Sequence, residues 1–101
     1  MTPQHQRGVN HLYPLRRNRG LLQKHMALLI GRRANTVSQY ERGRALPTLE
    51  TALLLEIILG ARLSEMYVDL QRDLYNTVLQ RAKQLPEVVR RRILSRLLGK
   101  D

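Results

Sequence analysis

At 101 residues the chain is long enough for one compact core of four or five helices with an appendage, and too short for two ordinary domains. Its 43% apolar content excludes a disordered polymer, and with no Phe and no Trp the core has to be built from Leu, Ile, Val, Ala and Met. Eighteen Lys and Arg against eight Asp and Glu leave a net charge of +10, which points to a polyanionic partner, while the lack of cysteine excludes disulfides and thiol chemistry.

The first stretch, residues 1–11, holds Pro3, Gly8, several Gln, His5 and His11 without apolar periodicity and reads as a flexible arm. It has no apolar signal-peptide core, and no later run approaches the length of a membrane span, so the sequence predicts a soluble, cytoplasmic, nucleoid-associated protein. A short helix is expected from Leu12 or Pro14 to about Asn18, with Pro14 tolerated in the first turn. A second helix, about Gln23 to Ile30, carries Met26, Ala27, Leu29 and Ile30 at helical spacing and stops at Gly31.

The third helix, beginning at Arg33 or Ala34 and ending at Glu41, is apolar only at Val37 and Tyr40, so one narrow stripe anchors it. Arg33, Asn35, Thr36, Ser38 and Gln39 look outward, a set of side chains suited to hydrogen bonding with bases and phosphates. Thr48 is expected to cap a fourth helix, Leu49 to Leu59, closed by Gly60. That helix is apolar nearly all round. At about 100° per residue Leu49, Ala52, Leu53, Leu55 and Leu59 form one face, and Leu54, Ile57 and Ile58 lie opposite and need a partner of their own.

Ser64, with Glu65 beside it, is expected to cap a fifth helix running to about Leu85. A last helix, about Pro86 to Leu98, has Pro86 at its first position, Val89, Ile93 and Leu97 on one side, and a basic side of Arg90, Arg91, Arg92 and Arg96. Charge is uneven along the chain: residues 1–47 hold nine basic and one acidic residue, 48–73 two and five, and 74–101 seven and two. Arg outnumbers Lys fifteen to three, which favours phosphate and guanine recognition, because the guanidinium fork donates two parallel hydrogen bonds.

Two short helices joined through Gly31, the second with an outward polar face, are the minimum of a helix-turn-helix at about residues 23–43. The run Gly20-Leu-Leu-Gln-Lys-His-Met-Ala-Leu-Leu-Ile-Gly31, continued as Arg32-Arg-Ala-Asn-Thr-Val-Ser-Gln-Tyr-Glu-Arg-Gly43, resembles the Cro/repressor (XRE-type) helix-turn-helix family without a gap. Pro47-Thr-Leu-Glu-Thr51 and Leu59-Gly-Ala-Arg-Leu-Ser-Glu-Met-Tyr67 extend the likeness to roughly residues 12–67.

The resemblance implies an all-α, lambda-repressor-like five-helix DNA-binding domain over 12–67; outside the likeness, residues 68–101 read as a C-terminal helical extension that either dimerises or covers the core. It implies that Gln23 binds a phosphate and braces the recognition helix, and that Ala27 and Gly31 keep the two helices close. Ala34, Asn35, Ser38 and Gln39 fall on the family's base-reading positions, and Thr36, Arg42 and Arg44 where phosphate contacts are usual. Asn35 and Gln39 suit adenine, the Ala34 methyl suits thymine, and Arg33 suits guanine or a phosphate. The sequence departs from the family pattern at Leu22 and Arg33, where Ser or Thr usually caps a helix, and at Arg32, where an apolar residue is usual. Arg32 and Arg33 are then expected on phosphates.

The functional expectation is a sequence-specific transcriptional regulator of bacterial or phage type, a repressor that occludes promoter or operator DNA as a homodimer. Leu54, Ile57 and Ile58, partly covered by the C-terminal helices, and with them Val78, Leu85, Val89 and Ile93, are the expected dimer contacts; cover of that face within the one chain is the alternative. Two alternatives remain: an antitoxin-type protein that neutralises a partner toxin and autoregulates, and a nucleic-acid-binding coactivator or adaptor. No triad, phosphate loop or metal-ligand spacing is found, His5, His11 and His25 included, so neither an enzyme nor a cofactor or metal is expected. Glu41 and Glu56 read as structural partners for Arg16, Arg17 or Arg42.

Overall fold

A computed structural model describes residues 9–99. Among these there are seven helices and no strand: α1 (Leu12–Asn18), α2 (Gln23–Ile30), α3 (Ala34–Glu41), α4 (Leu49–Leu59), α5 (Leu63–Met66), α6 (Val68–Ala82) and α7 (Glu87–Leu97). The chain divides into two units, one ending at Leu70 and the other starting at Gln71.

The first unit is organised around Leu12, Met26, Ala27, Ile30, Val37, Tyr40, Leu55, Leu59, Met66 and Tyr67, all buried. Each of its helices α1 to α5 places at least one side chain there, as the narrow apolar stripes of α2 and α3 require. Leu29 departs from the stripe expected of α2 and is about half exposed. Local chemistry stops the helices where the sequence places those stops. Gly31 and Gly60 adopt left-handed φ values of 69° and 65°, and Thr48 Oγ1 accepts a hydrogen bond from Thr51 N at 3.3 Å.

Position 60 carries a second constraint. The Arg19 guanidinium donates through both Nε (3.0 Å) and Nη2 (2.8 Å) to the Leu59 carbonyl, capping α4 from a distant element. A Cβ at Gly60 would lie 2.9 Å from Arg19 Nη2. At Gly31 a Cβ would meet nothing within 4 Å, so this glycine acts through its backbone angle and not, as the family likeness implies, through close helix approach.

Five expectations are corrected. Most of the arm expected over 1–11, with Pro3, His5 and Gly8, lies outside the described residues, but its last two residues belong to the folded unit. Asn10 Oδ1 accepts from Leu12 N, Asn10 Nδ2 donates to Tyr40 O at 2.8 Å, and His11 N donates to Met66 O at 2.8 Å. The single fifth helix expected from Ser64 to Leu85 is two helices, because Tyr67 leaves helical geometry (φ −121°, ψ 55°) and His11 has taken the Met66 carbonyl. Ser64 is not the cap of α5. That position is Arg62, whose N–H donates to Glu65 Oε1, while Leu63 N donates to Glu56 Oε2, so Glu56 serves a helix start instead of an arginine. Pro86 stands at the cap of α7, one residue before the position expected of it.

In the second unit Ala82 is the one buried side chain among the described residues, with Tyr75, Leu79, Leu85, Ile93, Leu94 and Leu97 half-buried. Tyr75 Oη donates to the Leu97 carbonyl at 2.5 Å and ties α6 to α7.

Candidate nucleic-acid interface

The site begins with how α3 is held. Its inward side chains, Val37 and Tyr40, are 2% and 7% exposed and sit in the core against α2. Its C-terminal end is fixed by Glu41, whose carboxylate receives three side-chain hydrogen bonds. Arg16 Nε and Nη2 donate to Oε2 and Oε1 at 2.5 and 3.1 Å, and Gln23 Nε2 donates to Oε1 at 3.0 Å. Arg16 also donates from Nη1 to Leu21 O, so its charge is spread over a carboxylate and a carbonyl. Burying such a charge is tolerable only because every part of the fork has a partner.

The bracing role expected of Gln23 is thus visible, and it runs through Glu41. A surface hollow lined by Tyr13, Gln23, Ser38, Glu41 and Arg42 brings the start of α2 beside the outer side of α3. Tyr13 in turn lies under two guanidinium groups, Arg16 at 5.3 Å and Arg17 at 5.7 Å from the ring centre, and its hydroxyl accepts from Arg17 Nη1 at 3.0 Å. Tyr13 and Arg17 were not singled out as site residues from the sequence. Their i, i+4 spacing on one helix was the available signal.

At the other end α3 starts at Ala34, with Arg33 extended at its cap (φ −88°, ψ 155°) and no side-chain cap bond. The turn between the helices is closed by Arg32 N donating to Ala27 O at 2.9 Å. Arg32, Arg33, Ala34 and Asn35 are exposed, and Thr36, Ser38 and Gln39 are half-buried. None of the side chains of Asn35, Thr36, Ser38 and Gln39 makes a hydrogen bond among the described residues, nor do Arg32, Arg33, Arg42 and Arg44 form an ion pair there. Arg42 and Arg44 are exposed just past the helix end.

Helix α2 also lacks the usual side-chain cap, since Leu22 stands at that position with about half its surface exposed. Sequence reasoning missed a partial substitute: Leu22 N donates to His25 Nδ1 at 3.0 Å, the return half of a capping box. The signal was the three-residue spacing from cap to His25.

The residues expected at a dimer contact are distributed over both units. On α4, Leu54 and Ile58 pack in part against the unit's own core, while Ile57 is 77% exposed and shares an outer stripe with Leu49 and Leu53. In the second unit Val78 and Val89 are exposed and Leu85 and Ile93 half-buried.

A family model described as helix-turn-helix matches residues 15–66, just over half the chain. The chain belongs to the XRE-type helix-turn-helix family. The match runs from α1 to the last residue of α5 and so coincides with the helices that build and brace α3. No curated protein and no solved structure gives a significant match. This helix-turn-helix protein is a DNA-binding transcription regulator whose partner is double-stranded DNA, on an all-α domain. No helix among the described residues is long and apolar enough to cross a membrane.

Proposed function

We propose that this regulator is a sequence-specific repressor that occludes promoter or operator DNA, with α3 lying in the major groove. The observation that carries the reading is the division of labour on α3. Val37, Tyr40 and Glu41 are fully engaged with the domain, while Asn35, Thr36, Ser38 and Gln39 hold unspent hydrogen-bonding capacity on the outer side. Asn35 and Gln39 read adenine through its N6 and N7, Ser38 either base of a pair, Ala34 a thymine methyl, and Arg33 a guanine edge or a phosphate. Gln23, Arg32, Thr36, Arg42 and Arg44 contact the backbone on both sides of the groove. Occlusion needs only affinity and position, which a chain of this size supplies.

Two copies bind related half-sites about one helical turn apart. The exposed Ile57 on α4 and the apolar side chains Val78, Leu85, Val89 and Ile93 of the weakly buried second unit support a subunit contact. Footprinting on the protein's own upstream DNA tests both statements. Two protected half-sites with two-fold symmetry are expected; one protected half-site removes the dimer. On the protected duplex, Gln39→Ala should cost about 1–3 kcal/mol at a single base pair, whereas Arg42→Ala should weaken all duplexes alike and lower the salt slope by about one. Sequence-indifferent binding, with Gln39→Ala losing no more than Gln80→Ala on the exposed side of α6, would overturn the reading.

A further inference from the structure

The second unit carries a charge pattern that the reading helix does not use. Seven basic and two acidic residues lie between Gln71 and Gly99, and four of the arginines fall within Arg90–Arg96. Their surroundings on α7 differ. Arg90 is half-buried and its Nη1 approaches the Lys83 carbonyl at 3.4 Å, so it belongs to the link between α6 and α7. Arg91, Arg92 and Arg96 are exposed. Arg91 pairs with Glu87 at 2.8 Å, but both side chains are about 70% exposed (72% and 69%), and a pair so open to water is readily exchanged for another anion. Arg92 and Arg96 have no ion pair or side-chain hydrogen bond among the described residues. They stand at i and i+4, where like charges repel along a helix.

We propose that the exposed arginine face of α7, formed by Arg91, Arg92 and Arg96, is a second and sequence-independent contact for the phosphates of duplex DNA. It rests on the reading that α3 binds DNA. A face meant only for solubility is served by Lys or by mixed charges, whereas three guanidinium forks close together on one helix suit a row of phosphate oxygens. The choice of DNA over another polyanion follows from covalent linkage. Once α3 holds a duplex, phosphate is present near α7 at an effective concentration set by the connecting chain, so a contact too weak to act alone still adds to the whole. Its work is to lengthen residence on DNA of any sequence without altering which base pairs are preferred.

The test uses the full chain and two duplexes, one bearing the footprinted site and one of scrambled sequence, titrated between about 50 and 200 mM salt. Arg92→Gln/Arg96→Gln should reduce the slope of log affinity against log salt by about two on both duplexes, about 0.9 for each phosphate that is no longer neutralised. Each single variant should reduce it by about one, and Arg92→Lys/Arg96→Lys should keep most of it, with helix content by circular dichroism unchanged throughout. An unchanged slope on both duplexes would overturn the proposal. So would a loss seen only on single-stranded RNA of equal length, which would make that face an RNA contact. Gln39→Ala separates this from the reading of α3: it should narrow the preference for the site duplex by about 10-fold or more, the loss of one base contact, and leave the slope alone. If it does nothing while the arginine variants lower the slope, base reading by α3 fails and the phosphate face stands.

Discussion

Arg16 on α1 and Glu41 at the end of α3 form a fork-to-carboxylate ion pair with side chains only 5% and 6% exposed. This pair joins the first helix of the domain to the last turn of α3, and Gln23 at the start of α2 joins it through the same carboxylate. Three helices thus meet on one anionic group. Position and stability of α3 are therefore coupled: what loosens the pair also loosens the outer face of that helix.

Glu41→Ala leaves the Arg16 guanidinium buried with no anion, holding one hydrogen bond to the Leu21 carbonyl and its contact with the Tyr13 ring. Removing one partner of a buried pair costs about 3–5 kcal/mol, a large share of the total stability of a small domain. Urea unfolding should show a loss in that range. The double variant Arg16→Met/Glu41→Leu should recover most of it, because no charge is then left unpaired. A single-variant loss below about 1 kcal/mol would mean that water reaches the guanidinium and that the pair is not what holds α3.

The contact of Arg19 with the α4 terminus makes a second, separable expectation. Gly60→Ala incurs the left-handed backbone penalty, about 1–2 kcal/mol, and also displaces the Arg19 guanidinium from the Leu59 carbonyl. In an Arg19→Ala background the same substitution should cost less, since only the backbone part remains. A double-mutant cycle by chemical denaturation measures the difference, and strict additivity would show that the guanidinium moves aside freely.

Much of this domain was legible in the sequence, and the parts that were not share a cause. Gly31, Gly60 and Thr48 end or start helices through chemistry confined to a few neighbouring residues, so their signals are local. Ser64 carried the same kind of local signal and failed, because the Glu56 carboxylate on the preceding helix and His11 N, from the other end of the domain, decide where α5 begins and ends. On α4 nearly every residue is apolar, so periodicity does not tell which face turns inward. Packing selected Leu54 and Ile58 for partial burial and left Ile57 outside. Within the site, the outward residues of α3 were readable from composition, whereas Gln23 acting through Glu41, and Asn10 reaching the Tyr40 carbonyl, depend on tertiary contacts.

The uncapped starts of α2 and α3 predict a trade between stability and binding. Leu22 and Arg33 both have the extended backbone of a cap but no side-chain acceptor for the first amides. Leu22→Ser should stabilise the free protein by about 0.5–1 kcal/mol in urea unfolding and leave DNA affinity nearly unchanged. Arg33→Ser should stabilise it by a similar amount, because it adds an acceptor and removes a cation from the positive end of α3. Its DNA affinity should nevertheless fall, with a salt slope lower by about one. Arg33→Ser with full affinity would show that this arginine touches neither base nor phosphate.

Tyr67 predicts how the domain fails in alkali. Burial, and behind it the neighbouring Tyr40, pushes its phenol up from the usual 10 to about 12, and its hydroxyl has no hydrogen-bond partner among the described residues. The native state therefore keeps a proton that the unfolded chain releases near pH 10. Stability attributable to this group is complete below pH 10, declines as the pH rises from there, and levels off above about 12. Partial access of water to the phenol screens the effect, so the total loss is on the order of 1–2 kcal/mol. Tyr67→Phe removes the titrating group while keeping the ring that fills the core. It should equal or exceed the parent in stability at about pH 8, since no hydrogen bond is lost, and its advantage should widen from about pH 10 to pH 12. Parallel urea titrations across that range decide the matter: curves that stay equidistant would mean that the phenol opens to water before it ionises.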